Sequence, residues 1–398
     1  MHATAFLRAS RLRAGLKRHP WVYPNSIERW EGEHASGDAV RVRAPDGRFL
    51  AHALVNDDSR LALRLVSFDK NADLDDPAFW TARVEDAVRL RRETLGLDAR
   101  TDAYRVIHSE GDGIPGLIVD RYGDVLVYTV SCLGTQRRLE PILAALRAAF
   151  SPQAIVEQGV SENLRRTEGL PDPRGVVEGE LPAEQVVTID GLRFTVPLAA
   201  GQKTGMFLDQ RDNVQLAASL AKGRRVLDAC CYLGAFSLAC AQAGAQSVRA
   251  FDQSEEAVAR ARQHAEQNGV ADRVEVVHNE LFKELNALIA QEAQFDLIVL
   301  DPPKFAGSKK QATKAQRGYL DSNRLALKLL APGGVLFSFS CSHHMPVDEL
   351  EVLLRQAADR SKTDLRQLGT FGPGLDHPID VHCPEGRYLK GLLFQRRG

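Results

Sequence analysis

The sequence predicts an α/β protein built in three parts, and three observations carry that prediction. Between residues 223 and 341, short apolar runs alternate with segments of helical period. The first 66 residues hold short alternating runs around tight-turn signals. Between these two regions, helical and strand-like segments are punctuated by Gly and Pro. With 398 residues, 44% of them apolar and 26% charged, the chain is long enough for several buried cores and is not disordered by composition.

In chain order, Arg41–Leu50 reads as a hairpin, two short runs around Pro45-Asp46-Gly47. Leu61–Val66 alternates as a further strand. Asp73–Thr94 reads as a helix, with Val84, Ala87, Val88 and Arg91 at helical spacing. Glu110–Asp124 gives a Gly/Pro turn, a strand and a second turn into Val125–Val130, and the mixed region ends near Pro197. The later strands fall at Arg225–Cys230, Val248–Phe251, Val274–His278, Phe295–Leu300 and Gly334–Ser340. Helices are expected at Phe236–Ala243, Ser254–Asn268, Glu280–Gln291 and Asn323–Leu330. Strands apolar throughout, alternating with helices, imply a mostly parallel, doubly wound sheet.

A formal net charge of −1 excludes a wholly basic nucleic-acid coat and an acidic tail, but not a local basic patch. The six cysteines form no Cys-x-x-Cys pair, so no metal site is expected, and their scarcity suits reduced, cytoplasmic thiols. No apolar run approaches the ~18 residues of a membrane span, and the N-terminus lacks a signal-peptide pattern, so no membrane partner is expected.

The chemistry collects where the strands end. In an open α/β sheet, ligands bind beyond the carboxyl ends of the strands. Asp228 sits where the first strand opens into Cys230-Cys231-Tyr232-Leu233-Gly234, and Gly234 allows backbone to approach a ligand. The Gly-x-Gly-x-x-Gly dinucleotide pattern is missing there. The next strand ends at Asp252, 24 residues later, where a carboxylate can accept both ribose hydroxyls of a nucleoside; alternatively it caps a helix, with Ser254 the rival cap. The third strand ends at Asn279-Glu280, a polar corner for an adenine edge. The fourth ends Asp301-Pro302-Pro303-Lys304-Phe305, and the fifth Ser338-Phe339-Ser340-Cys341-Ser342. Asp301 and Cys341 thus project from adjacent strand tips. A thiolate can add to C6 of a pyrimidine and make C5 nucleophilic, while an acid at N3 stabilises the developing charge. The bland alternative for Cys341 is a small core residue.

At these residues the chain resembles the class I S-adenosylmethionine-dependent methyltransferases. More narrowly it resembles the RlmI-type 23S rRNA cytosine-5 methyltransferases. The likeness spans nearly the whole chain. It includes Arg18–Tyr23, Glu110–Asp120, Gly201-Gln202-Lys203-Thr204-Gly205, Phe207–Asp212, Asp301–Phe305, Ser338–Ser342 and Pro384–Lys390. The resemblance implies a PUA-like RNA-binding barrel over residues 1–68, a middle α+β domain over 69–197 and a Rossmann-like methyltransferase over 198–398. It implies S-adenosylmethionine as cofactor and 23S rRNA as partner. By motif, Cys341 would be the nucleophile and Asp301 would contact the target base. Asp228, Gly234, Asp252, Asn279, Glu280 and Asp301 would line the cofactor, and Lys203, Thr204, Phe207 and Arg211 would close over it. Two departures stand out. The first loop reads Leu233-Gly234-Ala235 in place of the two adjacent glycines frequent in the family, and Asp301–Phe305 holds no second cysteine. A base other than a cysteine must therefore take the C5 proton.

Residues 302–320 carry Lys304, Lys309, Lys310, Lys314 and Arg317 and no acid. The stretch is either a solvated loop or a phosphate contact. Residues 1–20 are similarly basic, through Arg8, Arg11, Arg13, Lys17 and Arg18, with the same two readings. Arg165 and Arg166 are an RNA contact or a surface pair. His343 and His344 are read first as rim residues and second as support for a thiolate. Competing functions are an RNA N-methyltransferase, a C5-uracil methyltransferase and a non-catalytic assembly factor. Oligomeric state is left open, a homodimer among the options.

Overall fold

The computed structural model describes residues 3–198, 205–305, 312–342 and 345–398. Lys203, Thr204, Lys309, Lys310, His343 and His344 lie outside the described residues. The chain divides into two compact units. The first is Met1–Thr188 with Val196–Gly205 and Leu375–Gly386; the second is Ile189–Thr195 with Met206–Gly374 and Arg387–Gly398.

The first unit holds two sheets. Its six-stranded sheet carries the expected hairpin, Ala39–Arg43 paired antiparallel with Phe49–Val55. Gly47 turns that hairpin with φ +84°, a backbone region that costs other residues strain. Alternating side chains, among them Ala5, Leu7, Val22, Val42 and Leu63, form its core. The five-stranded sheet runs from Ala103–His108 to Gly175–Gly179, with the helices Pro77–Arg89 and Leu139–Phe150 supplying Trp80, Val84, Ile142 and Leu143 to its core. The first of these helices starts at Pro77, four residues after the expected Asp73. Asp76 caps it, accepting from the Ala78 N–H at 2.9 Å, and Pro77 takes the position that needs no amide donor. Its last turn widens into a π-helical segment, Leu90–Thr94.

Arg64 ties the two sheets together. Its buried guanidinium meets Glu110 at 3.3 Å and Glu168 at 3.4 Å. Glu110 also accepts from Trp21 Nε1 at 2.8 Å.

The second unit contains a seven-stranded sheet. Across it the strands lie in the order Val274–His278, Ser247–Asp252, Arg225–Ala229, Phe295–Leu300, Leu330–Ser340, Lys390–Arg396 and Leu365–Phe371. The first five run parallel, as expected; Lys390–Arg396 runs antiparallel to them, and Leu365–Phe371, antiparallel to Lys390–Arg396, points the same way as the first five. The strand order reverses beside Arg225–Ala229, which pairs with Ser247–Asp252 on one side and Phe295–Leu300 on the other. Such a reversal opens a crevice at the carboxyl ends.

Two boundaries differ from expectation. The helix expected at Asn323–Leu330 is Ala312–Leu329, because Ala315, Tyr319 and Leu320 extend its buried face backwards. The stretch read as a solvated loop is therefore partly helical, with Lys314 and Arg317 exposed on that helix. The next strand begins at Leu330 rather than Gly334. No helix among the described residues is long and apolar enough to cross a membrane.

Candidate active site

Every strand tip that the sequence singles out in this sheet lies in the second unit. Asp228 is 1% exposed, one residue before the end of the first strand. Its Oδ2 accepts from the Ser237 amide at 3.0 Å and from the Ser237 hydroxyl at 2.5 Å. Burial, opposed by those bonds and assisted by Asp301 and Asp252, pushes its carboxyl up to about 7. Sequence reasoning missed Ser237, which ties Asp228 to the start of the following helix, Ala235–Gln242.

The loop between that strand and helix is strained. Cys230, Tyr232 and Gly234 have φ of 66°, 48° and 85°. Two of them are not glycine, and such residues cost on the order of 1–3 kcal/mol each, so they persist where surroundings or a ligand demand them. One surrounding group is Asp252, whose Oδ2 accepts from the Tyr232 N–H at 3.0 Å. Its Oδ1 accepts from the Ser254 N–H at 2.9 Å, and Ser254, not Asp252, caps the helix Glu255–Gln267. Each carboxylate oxygen has further acceptor capacity.

At the third tip, Asn279 accepts from the Glu280 N–H at 2.9 Å and donates to Glu284 at 2.8 Å. Glu280 is exposed and pairs with Lys283 at 3.2 Å. Phe207 and Arg211 line a small apolar cleft with Met206, Leu208 and Ala235. The edge of Phe207 or Tyr232 meets the other's face, with ring centroids 5.0 Å apart.

Asp301 directly follows Leu300, and its Oδ2 accepts from Gln210 Nε2 at 2.8 Å. Gln210 in turn accepts from Asn213 at 2.7 Å, and both amides are buried. Cys341 is half-buried, one residue beyond the strand that pairs with Phe295–Leu300. Tyr319 lies close enough to feel both: burial first, then Cys341 and Asp301, push its phenol up to about 12. Its hydroxyl accepts from Ser340 Oγ at 2.9 Å. Sequence reasoning missed Gln210, Asn213 and Tyr319, although Gln210 lies inside the Phe207–Asp212 block. Cys230, Cys231 and Cys240 are less apt nucleophiles, since burial first and nearby carboxylates second push their thiols up.

Three carboxylates, Asp228, Asp252 and Asp301, thus gather at the strand tips, and their mutual repulsion is felt at Asp228. That charge balance fits a ligand carrying positive charge.

Of the basic residues, Lys304, Lys314 and Arg317 are exposed. In the first unit, Arg166 is exposed on the helix Glu162–Glu168, and Arg165 beside it pairs with Asp172. Of the N-terminal group, Arg8, Arg13, Lys17 and Arg18 are exposed, whereas Arg11 is buried and donates to the His19 carbonyl at 2.8 Å. His19, Cys383 and Glu385 bring potential metal ligands within 4.8 Å of one another. However, His19 Nδ1 accepts from the Trp21 N–H at 3.2 Å, so neutral Nε2 carries a proton towards Glu385 and offers no lone pair to a metal.

A family profile described as S-adenosylmethionine-dependent methyltransferase matches residues 151–378, and a PUA-like domain profile matches residues 6–68. The ribosomal RNA large subunit methyltransferase I of Aeromonas hydrophila is 39% identical, with all of both chains covered. The protein of that name from Yersinia pseudotuberculosis is 35% identical over 98% of this chain and 99% of its own. Among solved structures, a candidate methyltransferase complexed with SAH covers 99% of this chain and 100% of its own, with TM-score 0.84 and 20% identity. A candidate S-adenosylmethionine-dependent methyltransferase from Streptococcus mutans has TM-score 0.81 and 20% identity over the same shares. The sulfonium and ammonium of S-adenosylmethionine suit the three-carboxylate crevice. The chain belongs to the S-adenosylmethionine-dependent methyltransferases, in the family of ribosomal RNA large subunit methyltransferase I, with S-adenosylmethionine as its cofactor.

Proposed function

We propose that this chain methylates C5 of a cytosine in 23S rRNA, with Cys341 as nucleophile. The observation that carries the reading is the half-buried thiol of Cys341 at a strand tip adjoining that of Asp301, both felt by the phenol of Tyr319. The thiolate of Cys341 adds to C6 of the base, and Asp301, acting as an acid at N3, stabilises the charge that develops. S-adenosylmethionine, when bound, supplies the methyl group that C5 accepts. A base other than a cysteine then takes the C5 proton, N3 returns its proton to Asp301, and cleavage of the C6–S bond releases 5-methylcytosine and restores the thiolate.

Asp252 holds the ribose of the cofactor, the Cys230–Gly234 loop approaches it through backbone, and Asp228 holds that loop's exit. The Asn279-Glu280 corner lies towards the adenine, while Phe207 and Arg211, with Lys203 and Thr204, close the site. On the RNA side, Lys304, Lys314 and Arg317, with Lys309 and Lys310, contact phosphates, as do Arg165 and Arg166. A three-part division at residues 1–68, 69–197 and 198–398 gives RNA holding to the first two parts and chemistry to the third. A base inside a helix has to be flipped out to reach Cys341. Ribosomal RNA as substrate places the reaction in the cytoplasm.

The test is nucleoside mass spectrometry after incubation with labelled S-adenosylmethionine and unmodified large-subunit rRNA, in parallel with Cys341→Ala. Labelled 5-methylcytidine from the unsubstituted protein alone is expected. Label in a methylated purine, or label insensitive to Cys341→Ala, would overturn the proposal.

A further inference from the structure

One buried cation near the site has no part in the chemistry above. Lys390 opens the strand Lys390–Arg396, which pairs antiparallel with Leu330–Ser340 in the register Ser340↔Lys390. The register sets it beside the residue that precedes Cys341. Lys390 is 8% exposed. The ammonium donates to the Ser342 carbonyl at 2.5 Å and to the Tyr388 carbonyl at 2.8 Å. Those two bonds use two of its three N–H groups. Among the described residues its partners are these two carbonyls, and no carboxylate acts on it.

A lysine is almost never this buried without a partner charge. Desolvation first lowers it, to about 8; Cys341 acts against that lowering, and Lys304 adds to it. Cys341, when ionised, is thus a group that supports the cation. Electrostatic coupling is reciprocal, so the ammonium supports the thiolate to the same degree. Lys390 also grips the carbonyl of Ser342, so it fixes the peptide on the far side of Cys341. Tyr319, through Ser340, fixes the near side. Among the described residues, Lys304 acts on Lys390, and Cys341 and Asp301 act on Tyr319.

We propose that Lys390 is a positioning residue for the transfer: its buried ammonium is the countercharge that holds Cys341 as a thiolate and pins the Ser340–Ser342 segment that presents it. The inference rests on Cys341 being the nucleophile, and its test does not depend on product formation. The thiol proton passes to solvent, leaving an ammonium–thiolate pair poised for addition.

The test measures the pH dependence of iodoacetamide alkylation at Cys341, by peptide mass mapping of the full chain. The unsubstituted protein, Lys390→Met and Lys390→Arg are compared. Cys341 is expected to titrate below the ordinary thiol value of ~8.5. Lys390→Met is expected to slow its alkylation at pH 7 about tenfold, and Lys390→Arg to restore most of the rate. At the same pH, kcat should fall in Lys390→Met with KM for RNA nearly unchanged. Identical alkylation profiles in the unsubstituted protein and in folded Lys390→Met would overturn the proposal. If Lys390→Met does not fold, the unsubstituted protein still decides: a Cys341 titration at or above ~8.5 overturns the proposal, and one clearly below supports it. Methylation that survives Cys341→Ala would instead sink the nucleophile reading, a separate result.

Discussion

Gln210 donates a hydrogen bond to Asp301 at 2.8 Å and accepts one from Asn213 at 2.7 Å, so a chain of buried amides orients the carboxylate at the fourth strand tip. A hydrogen bond to a charged group contributes about 1.5–3 kcal/mol. Gln210→Leu should therefore reduce the rate of methyl transfer roughly 10- to 100-fold while leaving affinity for S-adenosylmethionine within about twofold. Single-turnover kinetics beside calorimetry separate the two; an equal loss in both would make Gln210 part of the cofactor site.

Asp252 binds the strained first loop through Tyr232 and is the acid offered to the ribose. Asp252→Ala should weaken cofactor binding by about 10- to 100-fold, from the loss of one or two charged hydrogen bonds. Unchanged calorimetric affinity would remove it from the site.

The raised carboxyl of Asp228 has a stability consequence with a definite sign. Its folded value of about 7 exceeds the ordinary 3.8, so across that window the folded state holds the extra proton. Stability from this group is full below pH ~4 and is lost as pH rises towards 7 and beyond. Asp228→Asn keeps an oxygen for Ser237 and removes the titration. Relative to the unsubstituted protein, it should gain about 1–3 kcal/mol between pH 5 and pH 8. Urea unfolding at the two pH values reads the difference, and parallel curves would contradict the assignment.

Arg64 is 8% exposed and meets Glu110 and Glu168. Removing one partner of a buried ion cluster leaves the others uncompensated, at a cost of about 3–5 kcal/mol. Arg64→Met should lower the thermal midpoint of the first unit by several degrees, visible by calorimetry. For the same reason, excising residues 1–68 would strip Glu110 and Glu168 of their cation and damage more than RNA binding.

Lys314 and Arg317 stand one helical turn apart on the exposed face of Ala312–Leu329. If both meet phosphates, replacing both with Gln should reduce the salt slope of RNA binding by about two, without changing sequence preference. Filter binding across a salt series checks this, and an unaltered slope would place that helix face away from RNA.

The strand tips were legible because parallel strands buried on both faces read as apolar runs, and the polar residue ending each run stands out. Asp228, Asp252, Asp301 and Cys341 all fell where such runs stop. Their partners were not legible. Ser237 reaches Asp228 only through the geometry of the loop between them, and Gln210 reaches Asp301 across 91 positions of sequence. The helix before the fifth strand read short because its early turns mix lysines with the buried Ala315 and Tyr319, which weakens the apolar period. Lys390 was hidden more deeply, since its place depends on an antiparallel strand inserted beside a parallel one, a matter of sheet order rather than local pattern.

That insertion also bears on how the chain is made. Lys390–Arg396 lies between Leu330–Ser340 and Leu365–Phe371, bonded to both. During synthesis the strand leading to Cys341 emerges about 50 residues before the strand that flanks it, and until then its edge is open. A nascent chain, or one truncated between Ser340 and Lys390, would expose an apolar edge suited to pairing with other chains. Translation therefore completes this sheet from the inside, and the nucleophile gains its electrostatic neighbour only when that late strand docks.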